Sequence, residues 1–197
     1  MATGVPQAGR PLTTRSEPTL VQQMTWWVIV FPVLMGVAMV LHNLYLLDYT
    51  HVLSGALWTG ADLFLGFIVA PVMRRLDPER RRAVVEYLVP KTLLYMPVIA
   101  LTTGTAGYAM ATWLGMLTPG SPERIWVAGA LLVTLILAVV GLGILLPNNL
   151  RIWREFHRPS PDVERIMRLN RVNLALSGVQ GVFQVIVILI MAHLAVG

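Results

Sequence analysis

The residues able to do chemistry are few, and the most telling sit in one short stretch, HVLSGALWTGADLFLG, which begins at His51. At about 100° per residue, Trp58 falls roughly 20° behind His51 and Asp62 roughly 20° ahead. With Gly55 and Gly66 they make one helix face, and its small residues permit close helix approach. Eleven residues at about 1.5 Å place Asp62 roughly 16 Å deeper than His51. An ionised Asp at that depth costs about 2.5–3.5 kcal/mol even on the lenient insertion scale. Asp62 is therefore expected to face the bundle, neutral or paired. Its chemical readings are a proton carrier, a partner for a cation, or an acceptor from a ligand histidine. The structural reading is a carboxyl bonded to a neighbouring Thr or Tyr.

His42 lies near the end of the preceding apolar run, and the polar triplet Asp48-Tyr49-Thr50 reads as the turn before His51. Such a hairpin puts His42 and His51 on facing helices in the outer half of a bilayer. Two imidazoles so placed can ligate a b-type haem, with Trp58 against the porphyrin, or hold a copper ion. The structural alternative is that each bonds to its own turn or to a backbone carbonyl. His193, near the end of the last run, is a third possible metal ligand. However, it lies nine residues past Gln184, about 180° from the stripe Asn173, Ser177, Gln180 and Gln184. That stripe is expected to hydrogen-bond between helices, with a quinone headgroup or cavity lining as the alternative. His157 sits among arginines and reads as a solvated loop residue. Thr92, Tyr95, Pro97 and the run TTGTAG from Thr102 mark the third span, with a kink expected at Pro97.

Five apolar runs must position these groups: 24–47, 51–73, 92–117, 125–146 and 173–196. Each exceeds the roughly 20 residues needed to cross a bilayer. The 197-residue chain is 56% hydrophobic and 13% charged, with mean hydropathy +0.68. Ordinary soluble domains carry about 25% charged residues, so a water-soluble globule is excluded, as is a disordered chain. There is no cysteine, which excludes disulfides, thiolate metal sites, iron–sulfur clusters and covalent c-type haem. The expected fold is all-α: an integral membrane bundle of five transmembrane helices, with a four-helix core plus one additional N-terminal helix. Residues 1–23 read as a flexible cytoplasmic tail and 24–197 as a single transmembrane domain.

Fourteen of the fifteen Lys and Arg residues fall in the tail and in the 74–91 and 147–172 loops, and one in the 118–124 loop. The positive-inside rule then puts the N-terminus in the cytoplasm and the C-terminus outside the cell (inner) membrane. The net charge of +5 is thus a topology signal, with some attraction to anionic lipid, rather than a sign of nucleic-acid binding. Asp77-Pro78-Glu79, Ser121-Pro122-Glu123 and Ser160-Pro161-Asp162 read as helix starts: cap, proline, acid. The first should open a short inner helix over 78–89. Leu150, Trp153 and Phe156 suggest a helical turn lying on the inner leaflet. Trp26 and Trp27 mark the inner interface, and Tyr45, Tyr49, Trp113 and Trp126 the outer one.

The pattern His51-x6-Trp58-x-Gly60 resembles the opening helix of a superfamily of small membrane proteins. It includes the copper-resistance D domain, HemJ-type protoporphyrinogen oxidases and the membrane domain of cytochrome-containing urate oxidases. Pro97 and Thr103-Gly104 resemble the Pro and Thr-Gly pair of the next helix. The resemblance covers about 51–196 as a four-helix core. It implies a His-ligated b haem or a copper role, with His51 as the matching residue.

Three functions are therefore expected as alternatives. The first is a b-type haem redox or electron-transfer subunit, partnered by other membrane or cytochrome subunits and by quinone. The second is copper resistance or transport, and the third a structural or assembly subunit. No hydrolase motif is present: no Gly-x-Ser-x-Gly, no His-Glu-x-x-His and no phosphate-binding loop.

Overall fold

Apolar runs this long leave the backbone one solution in lipid, which is to bond to itself as helices. The computed structural model describes residues 19–196, and these fold as helices and turns with no strand among them. Residues 1–18 of the expected tail lie outside the described residues, while Leu20–Gln23 form one capped turn whose Leu20 packs inward. The elements that follow are α1 (Trp26–Val40), α2 (Leu44–Arg75), α3 (Pro78–Trp113), α4 (Arg124–Phe156) and α5 (Val163–Val196). The four helices α2 to α5 are each long and apolar enough to cross a bilayer; α1 is shorter. The protein is therefore a multi-pass membrane protein whose outward side chains meet lipid.

The first expected hairpin is corrected. The chain turns at Leu41–Asn43, not at Asp48-Tyr49-Thr50, which lie inside α2. His42 takes a left-handed conformation (φ 48°), its N–H bonding to Met39 O and that of Asn43 to Ala38 O. This pair of bonds closes the end of α1. The Asn43 side chain then accepts from Leu46 N–H at 2.9 Å and caps α2.

Other helix starts also shift. Asp77 caps α3 as expected, accepting from Arg80 N–H at 2.9 Å. The inner segment 78–89 is not a separate helix, because α3 continues through Pro90 and Pro97 to Trp113. Ser121 does not cap a helix. Its hydroxyl donates to Glu123 at 2.5 Å, which holds that exposed carboxyl below its ordinary range, and α4 begins only at Arg124. Asp162, rather than Ser160, receives Arg165 N–H at the start of α5.

The core forms three layers along the bundle. At one end Ala38, Leu47, Ala106 and Ala109 pack together. The middle layer holds Val28, Phe31, Trp58, Ile99 and Leu137. At the arginine-rich end, Met73, Val85, Val89, Leu93, Ile152, Ile166 and Leu174 form a third. Leu150, Trp153 and Phe156 pack onto this last layer, so the expected leaflet-lying turn is instead part of the protein core. α2 and α4 each contain a wide π-helical segment, Phe64–Val69 and Gly141–Leu145.

Candidate functional site

Within α2, His51 points at α3. Its Nδ1 lies 2.9 Å from the Thr103 carbonyl oxygen. A carbonyl can only accept, so Nδ1 carries a proton, and in the neutral ring Nε2 keeps its lone pair. The ring lies over Gly107, where an added Cβ would stand 2.7 Å from His51 Cε1. The Thr103 hydroxyl donates to Ser54 Oγ at 2.8 Å, tying the same two helices together. An imidazole held through Nδ1 by a carbonyl is poised as a single ligand or base through Nε2.

The three candidate ligand histidines do not converge. His42 is exposed at the α1–α2 turn and stacks on Trp113, ring centroids 5.3 Å apart. The eight residue steps from Asn43 to His51 correspond to about 12 Å of helix, and the turn at 41–43 removes the facing-helix geometry. His193 is exposed and packs on Trp126 at 4.4 Å. His157 bonds through Nδ1 to Trp153 O. Among the described residues no group of three or more His, Asp or Glu side chains could hold a metal ion. Trp58 is 6% exposed and fills the middle core layer rather than presenting a face for a porphyrin. Gly60, the last residue of the His-Trp-Gly pattern, faces outward with no atom near its missing side chain.

Asp62 is fully buried and receives Gln184 Nε2 at 2.8 Å, an amide partner rather than the Thr or Tyr expected. Its Oδ1 and Gln184 Oε1 are buried with no partner among the described residues. A donor supplied to such an acceptor is worth about 1–3 kcal/mol. Ser177 and Trp58 also turn toward the carboxyl.

The amide stripe does join helices, and it does so at α4. Gln180 Nε2 donates to Leu137 O at 2.7 Å, and Asn173 Nδ2 to Asn149 Oδ1 at 2.7 Å and Leu145 O at 3.5 Å. Asn148 Nδ2 donates to Asn173 Oδ1 at 3.0 Å. Leu137 lies one turn before the π-helical segment and Leu145 ends it, so the α5 amides supply donors where the α4 backbone departs from its regular ladder.

Asn173, Ser177 and Gln180 of the stripe line a cleft between α3 and α4, floored by α5 and Trp58. Its empty volume is about 780 Å³, counted out to its open mouth. Exposed Leu101 and Leu142 stand in its lining, so it opens sideways toward lipid. Its polar lining (Thr92, Asn149, Asn170, Asn173, Ser177 and Gln180) is entirely uncharged. Trp58 and Ser177 separate the cleft from Asp62. Sequence reasoning found the stripe by its period but not the cleft, because Asn149, Thr92 and the wide turn of α4 carry no periodic signal.

A family model described as "Domain of unknown function (DUF4149)" matches residues 53–158, more than half of the chain. The chain belongs to the DUF4149 family. The matched region runs from the third turn of α2 through α4 and includes Trp58 and Asp62; His51 and the α5 amides lie outside it. No curated protein and no solved structure matches the chain.

Proposed function

We propose that this DUF4149 protein is a membrane-embedded redox-type subunit that binds a neutral, lipid-soluble, polar-headed molecule of the quinone class in the α3–α4 cleft. The observation that carries this reading is the cleft itself: leucine walls open to lipid, and a floor of uncharged amides and a hydroxyl beside a buried carboxyl. Neutral amides and hydroxyls match a quinone's carbonyls, whereas an ion would leave its charge uncompensated there. Asp62, reached through Ser177, is the group that exchanges a proton with the bound headgroup. In this reading α1 is a fifth span and the arginine-rich ends of the bundle are cytoplasmic, with the N-terminus inside and the C-terminus outside.

The test is quenching of Trp58 fluorescence by a short-chain benzoquinone added to full-length protein in lipid nanodiscs. Saturable quenching is expected, lost in Trp58→Phe and shifted to several-fold weaker binding in Ser177→Ala, the loss of about one hydrogen bond. Quenching that never saturates, or that survives Trp58→Phe undiminished, overturns the reading.

The orientation of His51 favours a second reading, in which Nε2 ligates a b-type haem or, alternatively, copper. The residues fit one imidazole ligand, and the pairing of His51 with His42 or His193 is not formed within the chain. Haem would supply one-electron chemistry; the chain's part is to fix the ring through Thr103 and Gly107. Protein purified from haem-replete cells should show a Soret band that His51→Ala abolishes and His42→Ala and His193→Ala retain. A protein with neither that band nor bound copper would leave the buried polar pairs as helix-joining groups, the assembly-subunit role.

A further inference from the structure

A second cavity lies at the arginine-rich end, between the last turns of α2 and the first turns of α5, and the quinone-type reading makes no use of it. It encloses about 1080 Å³ counted to its mouth. Arg74, Arg81 and Arg171, from three different helices, line it together with Asn170. Among the described residues no carboxylate lines it and none of the three arginines forms an ion pair: Asp77 is taken by Arg80, and Glu155 by Arg158 and Arg165. Arg81 donates one Nη to Leu76 O at 2.9 Å, but its Nε is buried with no partner among the described residues. Three cations converging without a counter-charge repel one another, and an unpaired buried guanidinium N–H costs about 1–3 kcal/mol. An anion in the cavity relieves both.

The rest of the lining says what kind of anion. Gly66, Ala70, Met73, Met167, Leu174 and Ala175 continue the cavity away from the arginines into the apolar part of the bundle. From Arg74 to Gly66 is eight residues, roughly 12 Å along α2. A free inorganic anion has no use for that wall, whereas an acyl chain does. We propose that this cavity is a specific site for an anionic phospholipid, its phosphate held by Arg74, Arg81 and Arg171 and the start of its chain lying in the α2–α5 groove. Guanidinium–phosphate contacts are the strong, often bidentate kind, and basic pockets between helices on the cytoplasmic side are where such headgroups bind.

The competing explanation is diffuse attraction of a basic surface to an anionic leaflet, and charge-matched variants separate the two. R74Q/R81Q/R171Q removes three charges from the cavity. R75Q/R154Q/R168Q removes three from the same end of the bundle, where none lines it. Full-length protein is purified in a zwitterionic detergent, re-exposed to a mixture of phosphatidylglycerol and phosphatidylcholine, and read by native mass spectrometry. The cavity variant should lose bound phosphatidylglycerol by about tenfold or more, while the control stays within about twofold of wild type. Equal loss in both variants, or loss in neither, overturns the proposal. The wild-type protein supplies a measurement that needs no variant: phosphatidylglycerol should raise its melting temperature and phosphatidylcholine should not. Inorganic phosphate is the third arm. Stabilisation by phosphate alone as large as that by the lipid would overturn the assignment to a lipid.

Discussion

Gly107 lacks a side chain because the His51 imidazole occupies that space. Gly107→Ala would put a methyl 2.7 Å from His51 Cε1, so the ring must move and its bond to Thr103 O must lengthen. We expect a loss of about 1–3 kcal/mol, an overpacking cost, measured by thermal unfolding in detergent. Gly104→Ala is the matched control, since its methyl meets Thr134 at an ordinary 3.5 Å. It should be neutral or stabilising by up to about 1 kcal/mol. At this scale the sequence singles out His51 and Asp62 because a titratable group in an apolar run is conspicuous. Thr103, Gly107 and Gln184 escape it as partners, because hydroxyls, glycines and amides are common in spans and only the fold decides whom they meet.

Between helices, α2 and α5 approach closely at Gly66, where an added Cβ would stand 2.2 Å from Gly178 Cα. That neighbour is backbone and cannot swing aside, so Gly66→Ala should cost about 3 kcal/mol or more and separate the two helices. Gly36→Ala, with open space around it, should not destabilise; the comparison is again made by thermal unfolding. The small-residue face on α2 was legible in the spacing of Gly55 and Gly66, but its partner helix was not. The α1–α2 turn shows the opposite failure. Asp48-Tyr49-Thr50 is the more polar triplet, yet Asp48 and Tyr49 are exposed in α2 and the Thr50 hydroxyl donates back to Leu46 O at 2.8 Å. The break falls instead on Leu41-His42-Asn43, which has neither Gly nor Pro, because Asn43 caps the next helix. Asn43→Ala should therefore cost about 1 kcal/mol, read by the same unfolding assay.

For the whole molecule, the distribution of arginines makes orientation testable, and the absence of cysteine makes the test clean. A single cysteine at Ser121 should react with a membrane-impermeant maleimide added to intact cells, and one at Arg154 only after lysis. The reverse pattern would invert the topology. At the basic end, Glu155 is 4% exposed and holds both Arg158 (3.1 Å) and Arg165 (3.6 Å), which fixes the α4–α5 connection. Both arginines are about half exposed, so Glu155→Gln should cost only about 1 kcal/mol, seen as a lower melting temperature. The four long helices and the basic sidedness were legible because hydrophobicity and charge are summed along the chain. The way the helix ends join into one inner layer was not, since Trp153 and Phe156 look alike whether they meet lipid or protein. α1 carries one more consequence. Its 15 apolar residues reach only about 22 Å, against a hydrocarbon thickness of about 30 Å. If α1 is the fifth span proposed above, the bilayer beside it must thin or the flanking aromatics must be drawn inward, at a cost of a fraction of a kcal/mol per ångström. On that proposal the protein is biased toward thin regions of its membrane, and longer lipid chains strain the α1 edge.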